Sequence, residues 1–268
     1  MSHNLGTIET ILLAELRVGL PPLFYTRLLD ITDDWAFVLK LHSFFEGTLT
    51  KLLQEKLALR RSHEIMTPRD TFVSRVHLAE RLDLIEPDYR AFLLSLNRLR
   101  NDITHNIRFI DFDLRQYVDS LSDSDFRRTA YALCAGFKNT PMDDIVAKRI
   151  DEDLKRNQRI SEETFDPAIR EVVAGFLPAS NPRPEIKRRR VIRTVREYFW
   201  QLSPKTSLWN AGVSTLDLLS LHFHFEELPT GGFRSEPDLD AKIQDLLLDP
   251  AVLKYKRRVE GLWNDQTT

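Results

Sequence analysis

The sequence predicts a mainly α protein: a bundle of roughly four or five helices, followed by a second, mostly helical C-terminal region. Three observations predict it. Apolar stripes recur at a period of about 3.6 residues, the longest being Trp35, Val38, Leu39, His42, Phe45, Leu49, Leu52 and Leu53. Helix-starting residues stand ahead of such stripes, and proline or glycine closes them. After about residue 155 the chain turns charged and then proline-rich, as in PASNPRPE, the signature of a linker. The bundle is therefore assigned to residues 1-155 and the C-terminal region to 156-268, with the boundary falling between 155 and 184.

Taken in order, Ile8, Ile11, Leu12 and Glu15 form a short helical pattern closed by Gly19 and the Pro21-Pro22 pair, a docking arm or first helix. Asp33 and Asp34 start the long helix that carries the principal stripe. His42 and Glu46 lie on or beside that stripe one turn apart. The polar stretch 59 to 70 ends in Thr67-Pro68 and leads into a helix near Thr71, bearing Phe72, Val76, Ala79 and Leu82 and stopped by Glu86-Pro87. From about Asp88 the next helix carries Tyr89, Phe92, Leu93, Leu96, Leu99 and Ile103. The alternation in IRFIDFDL is too short for a strand and reads as an extended connection. Ser122 or Asp123 caps a helix bearing Phe126, Ala130, Leu133, Cys134 and Phe137, and Pro141 restarts the chain.

Beyond the linker, IKRRRVIRTVREYFW sets Ile192, Val195, Phe199 and Leu202 on one face and Arg189, Arg193 and Arg196 on the other. That basic face is either a solvated surface or a helix that tracks RNA phosphates. LHFHF at 221 to 225 alternates like a strand and puts His222 and His224 on one side, with Glu226 and Glu227 nearby. No third spaced ligand accompanies the histidines, so no metal is assigned. Asp249-Pro250 supplies an N-cap and first-turn proline for a final helix bearing Val252, Tyr255, Val259, Leu262 and Trp263.

Composition narrows the function classes. With 42% hydrophobic and 29% charged residues the chain is an ordinary globular sequence. Its net charge of −2 offers no global basic field, so any RNA contact must come from local patches. Cys134 is the single cysteine, which excludes an internal disulfide and a cysteine-rich zinc site. No signal peptide and no membrane-length apolar run are evident, and the expected location is cytoplasmic. The absence of a Walker loop, GxGxxG, GxSxG and HExxH removes nucleotide hydrolysis, Rossmann redox chemistry, serine esterases and zinc proteases, and no cofactor is expected.

The stretch LNRLRNDITHN, residues 96 to 106, carries the chemistry. Arg100 falls on the apolar stripe of its helix, three residues from Ile103 and four from Leu96, where a guanidinium needs a carboxylate, a helix end or a phosphate. Its rigid fork of donors suits phosphate. His105 is the natural proton-transfer group at neutral pH, and Asn101, one turn before it, can orient the ring. In a straight helix five residues place Arg100 and His105 roughly 140° apart. They reach one site only if the helix ends or distorts near Thr104, or if two copies of the motif meet across a dimer interface.

At these residues the sequence resembles the HEPN superfamily of small helical bundles, in particular its mannitol-repressor-like branch. The likeness rests on Arg100, Asn101 and His105 as R-N-x-x-x-H after LNRL, with FFEGTLTKLLQEKL and FVSRVHLAERLDLI upstream, and covers roughly residues 30 to 140. The resemblance implies a metal-independent endoribonuclease that works as a homodimer in toxin-antitoxin, phage-defence or RNA-processing systems. An antitoxin or other regulatory protein is then a partner beside RNA. His105 would take the proton of a ribose 2′-hydroxyl, Arg100 would stabilise charge on the phosphoryl oxygens, and the product would carry a 2′,3′-cyclic phosphate. Other members of the superfamily keep the bundle without known cleavage activity.

The residues themselves leave alternatives open. Glu46 can reach Arg100 or His105 across the bundle as a supporting group, with His42 beside it. Equally, His42 can be a satisfied core histidine and Glu46 a rim carboxylate. In a purely architectural version of the motif Arg100 pairs with Glu46, and His105 caps the helix C-terminus. The protein is then a non-catalytic regulatory or interaction module.

Overall fold

The computed structural model of the chain describes residues 8–59, 71–105, 111–133, 197, 200–201, 204–224 and 236–264. All regular structure among them is helical, which makes the fold mainly α. The labelled helices are α1 (Ile8–Arg17), α2 (Asp34–Leu59), α3 (Phe72–Arg81), α4 (Pro87–His105), α5 (Leu114–Asp119), α6 (Asp123–Leu133), α7 (Pro204–His224), α8 (Glu236–Leu247) and α9 (Pro250–Asn264). A 3-10 turn, Thr26–Asp30, joins α1 to α2.

Local chemistry accounts for the helix ends. At the end of α1, Gly19 takes a φ of 77°, and Leu20 N–H bonds back to Glu15 O at 2.8 Å while Gly19 N–H bonds to Leu16 O at 3.0 Å. This pair of reversed bonds satisfies carbonyls that the helix would otherwise leave open. The same arrangement closes α3, with Asp83 in the left-handed position (φ 57°) and Leu84 N–H on Ala79 O at 2.9 Å. Side chains cap the starts: Asp33 accepts from Ala36 N–H, Thr71 from Ser74 N–H, Ser122 from Asp125 N–H and Asp249 from Ala251 N–H. All four caps lie where the sequence places helix starts. Pro87, expected to stop α3, instead occupies the first position of α4, where its missing N–H costs nothing.

The apolar stripes meet in one core. Phe37, Val38, Leu41, Phe45, Leu49, Leu52 and Leu53 of α2 pack with Phe92, Leu93, Leu96 and Leu99 of α4 and with Trp209, Leu216 and Leu219 of α7. Helix α7 lies against α1, α2, α5 and α6, so it is enclosed on most sides. A helix so placed has to be apolar or compact all round. Accordingly its buried polar residues, Ser207, Asn210, Ser214, Thr215 and Ser220, are small, and Thr215 returns its hydroxyl to Ala211 O at 2.7 Å rather than seeking a distant partner. Tyr25, fully buried, donates from its hydroxyl to Trp209 O at 2.8 Å and ties the segment after α1 to α7. The described parts of the 1-155 and 156-268 segments thus share one core, while the boundary between 155 and 184 lies outside the described residues.

One expectation needs correction here. Residues 221 to 224 form the last turn of α7 and not a strand. The alternation of LHFH is too short to separate a strand from the last turn of a helix, and Leu221, His222 and Phe223 are each only partly buried. His222 is half-buried, and desolvation followed by nearby Lys56 holds its pKa below the ordinary histidine value. Among the described residues no three histidine, cysteine or acidic side chains gather as metal ligands, and Glu226 and Glu227 lie outside those residues. No described helix is long and apolar enough to cross a membrane.

Candidate functional site

Helix α4 runs unbroken from Pro87 to His105. Its core face is Tyr89, Phe92, Leu93, Leu96, Leu99 and Ile103, all buried. Thr104 stays within the helix and returns its hydroxyl to Arg100 O at 2.9 Å. The helix neither ends nor distorts before His105, so within one chain Arg100 and His105 keep their separation of roughly 140°. His105 is exposed on the last turn, and Arg100 and Asn101 are half-buried. At the same end, Trp35 of α2 donates from its indole N–H to Ile103 O at 3.4 Å and pins the final turn to the start of α2.

The acid expected near Arg100 is engaged elsewhere. Glu46 Oε1 lies 3.4 Å from Arg75 Nη1, and that nitrogen also donates to Thr50 Oγ1 at 2.9 Å. Arg75 comes from α3, which packs against both α2 and α4. The pairing of Arg100 with Glu46 that the architectural reading required is therefore replaced by one with Arg75. Arg100 Nη1 donates instead to Asn101 Oδ1 at 2.9 Å, a neutral amide. Among the described residues Arg100 has no ion pair.

His42 completes the cluster. It is buried on α2, with its ring 4.6 Å from that of Phe72, and its Nε2 donates to Asn97 Oδ1 at 3.0 Å. Its Nδ1 faces Glu46 Oε2 at 3.9 Å. Burial lowers the His42 pKa; the Asn97 bond and the Glu46 charge oppose that, and the Arg100 charge adds to it. A neutral His42 therefore stands in the field of Arg100. The core-histidine expectation holds, since the ring is buried and hydrogen-bonded, and Glu46 is half-buried at the rim.

The structure thus brings together His42, Glu46, Asn97, Arg100 and Asn101 at the junction of α2 and α4, with Arg75 from α3. It leaves His105 outside this group. Arg189, Arg193 and Arg196 lie outside the described residues. Sequence reasoning missed Arg75 and Asn97. Asn97 had a signal, since it stands one turn before Asn101 beside the apolar stripe. Arg75 had none, because its partner lies on another helix. Chemically, the cluster offers a partly shielded guanidinium for an anion and a neutral imidazole held by an amide, while the exposed His105 imidazole stands apart from it at the helix end. Comparison with family models, curated proteins and solved structures finds no match to this chain.

Proposed function

We propose that this chain is a metal-independent endoribonuclease of HEPN type, acting as a homodimer on RNA in the cytoplasm. One observation carries the reading. Among the described residues Arg100 holds a half-buried charge met only by the Asn101 amide, while Glu46 is taken by Arg75. A guanidinium placed so is costly without an anion, and a phosphodiester supplies one. His105 stands exposed on the same helix for proton transfer.

In this reading two α4 helices meet about a two-fold axis, which sets Arg100 of one copy beside His105 of the other. His105 accepts the proton of a ribose 2′-hydroxyl, and O2′ attacks the adjacent phosphorus. The bond from phosphorus to O5′ breaks, and His105 of the second copy protonates the departing O5′. The products are a 2′,3′-cyclic phosphate and a free 5′-hydroxyl. Arg100 meets the charge that grows on the phosphoryl oxygens, and Asn101 orients it. Arg189, Arg193 and Arg196 would hold the RNA backbone. A toxin or phage-defence role, restrained by an antitoxin or regulatory protein, follows from such an activity.

A second reading is favoured by the straightness of α4. If the roughly 140° between Arg100 and His105 is never bridged by a second copy, the motif is architectural and the protein a regulatory interaction module. Sedimentation at micromolar concentration together with end-group analysis of RNA incubated in EDTA separates the two. The ribonuclease reading expects about twice 31.3 kDa and 2′,3′-cyclic ends. A monomer that leaves RNA intact supports the interaction module.

A further inference from the structure

On the side of α2 turned away from His42 and Glu46, a cavity of about 490 Å³ opens between the segment that follows α1, the 3-10 turn, α2 and the end of α7. Along α2 it is lined from Lys40 to Lys51 by residues of one helical stripe, a length of about 16 Å. Phe24, Phe44 and Phe223 are among its walls, and Phe24 is 43% exposed.

Gly47 forms the floor of this cavity midway along the 26-residue helix. Glycine inside a helix lowers stability relative to alanine because the unfolded chain gains freedom. Packing or an unusual backbone usually justifies it. Here neither does: among the described residues a Cβ built on Gly47 meets nothing within 4 Å, and the residue does not adopt a positive φ. What the missing side chain achieves is open space over an apolar floor.

Charge selects the occupant. Lys51 Nζ already donates to Val18 O at 2.8 Å and stands 4.0 Å from Glu55. Lys40 is exposed at the other end and has no ion pair among the described residues. Among the described residues the cavity therefore offers apolar walls and one open cation, Lys40. The cavity lies within the usual range for small ligands. We infer that this cavity binds a free fatty carboxylate, its tail lying over Gly47 between Phe24, Phe44 and Phe223 and its carboxylate on Lys40. The inference is independent of the ribonuclease reading.

The test is calorimetric titration of the full chain with dodecanoate below its micelle concentration. One site per chain is expected, with affinity at least tenfold weaker in Gly47→Leu, which fills the floor, and severalfold weaker in Lys40→Ala. Dodecanol should bind less tightly than dodecanoate. Circular dichroism should show Gly47→Leu fully folded, since leucine is the better helix former. Absence of saturable binding, or binding that Gly47→Leu leaves unchanged, overturns the assignment. So does self-association abolished by Gly47→Leu without dodecanoate binding, which would give the cavity to a second copy.

Discussion

Arg75 reaches from α3 to Glu46 on α2, with 3.4 Å between guanidinium and carboxylate, and this one pair leaves Arg100 on α4 without an acid among the described residues. The two arginines border the same cluster, yet their surroundings differ. Arg75 is 14% exposed and holds both Glu46 and Thr50, while Arg100 has, among the described residues, only the amide of its neighbour.

Their alanine variants should therefore separate stability from RNA affinity. Arg75→Ala removes a buried stem and two hydrogen bonds, and a loss of about 1–2 kcal/mol is expected, modest because Glu46 is partly solvated. Arg100→Ala should cost under about 1 kcal/mol, because it breaks a hydrogen bond to a neutral group and strands no carboxylate. Denaturant unfolding of both variants checks this order. If Arg100→Ala is the more destabilised by several kcal/mol, its charge has a structural partner.

Gly212 should tolerate no side chain. A Cβ there would stand 1.9 Å from the Tyr25 hydroxyl oxygen and 3.1 Å from Tyr25 Cζ, and Tyr25 is fully buried with its hydroxyl on Trp209 O. Gly212→Ala should destabilise by about 2–4 kcal/mol through overpacking at the contact of α7 with the segment after α1. Tyr25→Phe in the same background removes the offending oxygen and should restore part of the loss. Thermal melts of the single and double variants check it.

Glu15 gives the fold a pH dependence. It is wholly buried in α1, where Oε2 accepts from Leu23 N–H at 2.6 Å and Oε1 from Tyr25 N–H at 2.7 Å. These bonds fasten Leu23, whose φ of 66° is unusual for a branched side chain. Burial raises the Glu15 pKa from 4.5 to about 7, against the pull of the backbone N–H groups. Because the folded value is the higher, the protonated form contributes stability that is complete below about pH 4.5 and is lost as pH rises through about 7. The loss is on the order of 3 kcal/mol. His42 acts in the opposite sense: its folded pKa is lowered, so its contribution is present above 6.5 and falls as pH drops below it. Melts from pH 4 to 8 should show the Glu15 decline in the wild type and lack it in Glu15→Gln. Parallel profiles for the two proteins would contradict the assignment.

Much of this was legible in the sequence, and the reasons differ from place to place. Helix starts were legible because capping is local: Asp33, Thr71, Ser122 and Asp249 each act within three residues of their own position. Gly19 was legible for the same reason. The strand-like alternation at 221 to 225 misled because so short a run cannot separate a strand from the end of a helix, and residues 221 to 224 complete α7. The candidate site was half legible. His42, Glu46, Arg100 and Asn101 announce themselves by spacing on their own helices. That Arg75 rather than Arg100 takes Glu46 depends on how α3 crosses α2, which no spacing within one helix encodes. The straight run of α4 through Thr104 decided whether Arg100 and His105 converge within one chain, and that too had to be seen.

The central claim is that Arg100 and His105 cleave RNA, and the most direct measurement is single-turnover cleavage of labelled RNA in EDTA by the wild type, His105→Ala and Arg100→Ala. The account predicts cleavage by the wild type with 2′,3′-cyclic phosphate ends. It predicts a loss of at least about a hundredfold in His105→Ala, with RNA affinity and melting temperature retained. Arg100→Ala should lose both rate and affinity, since its charge acts on the bound phosphate before and during reaction. An intact substrate with the folded, dimeric wild type, or equal rates in wild type and His105→Ala, would contradict it.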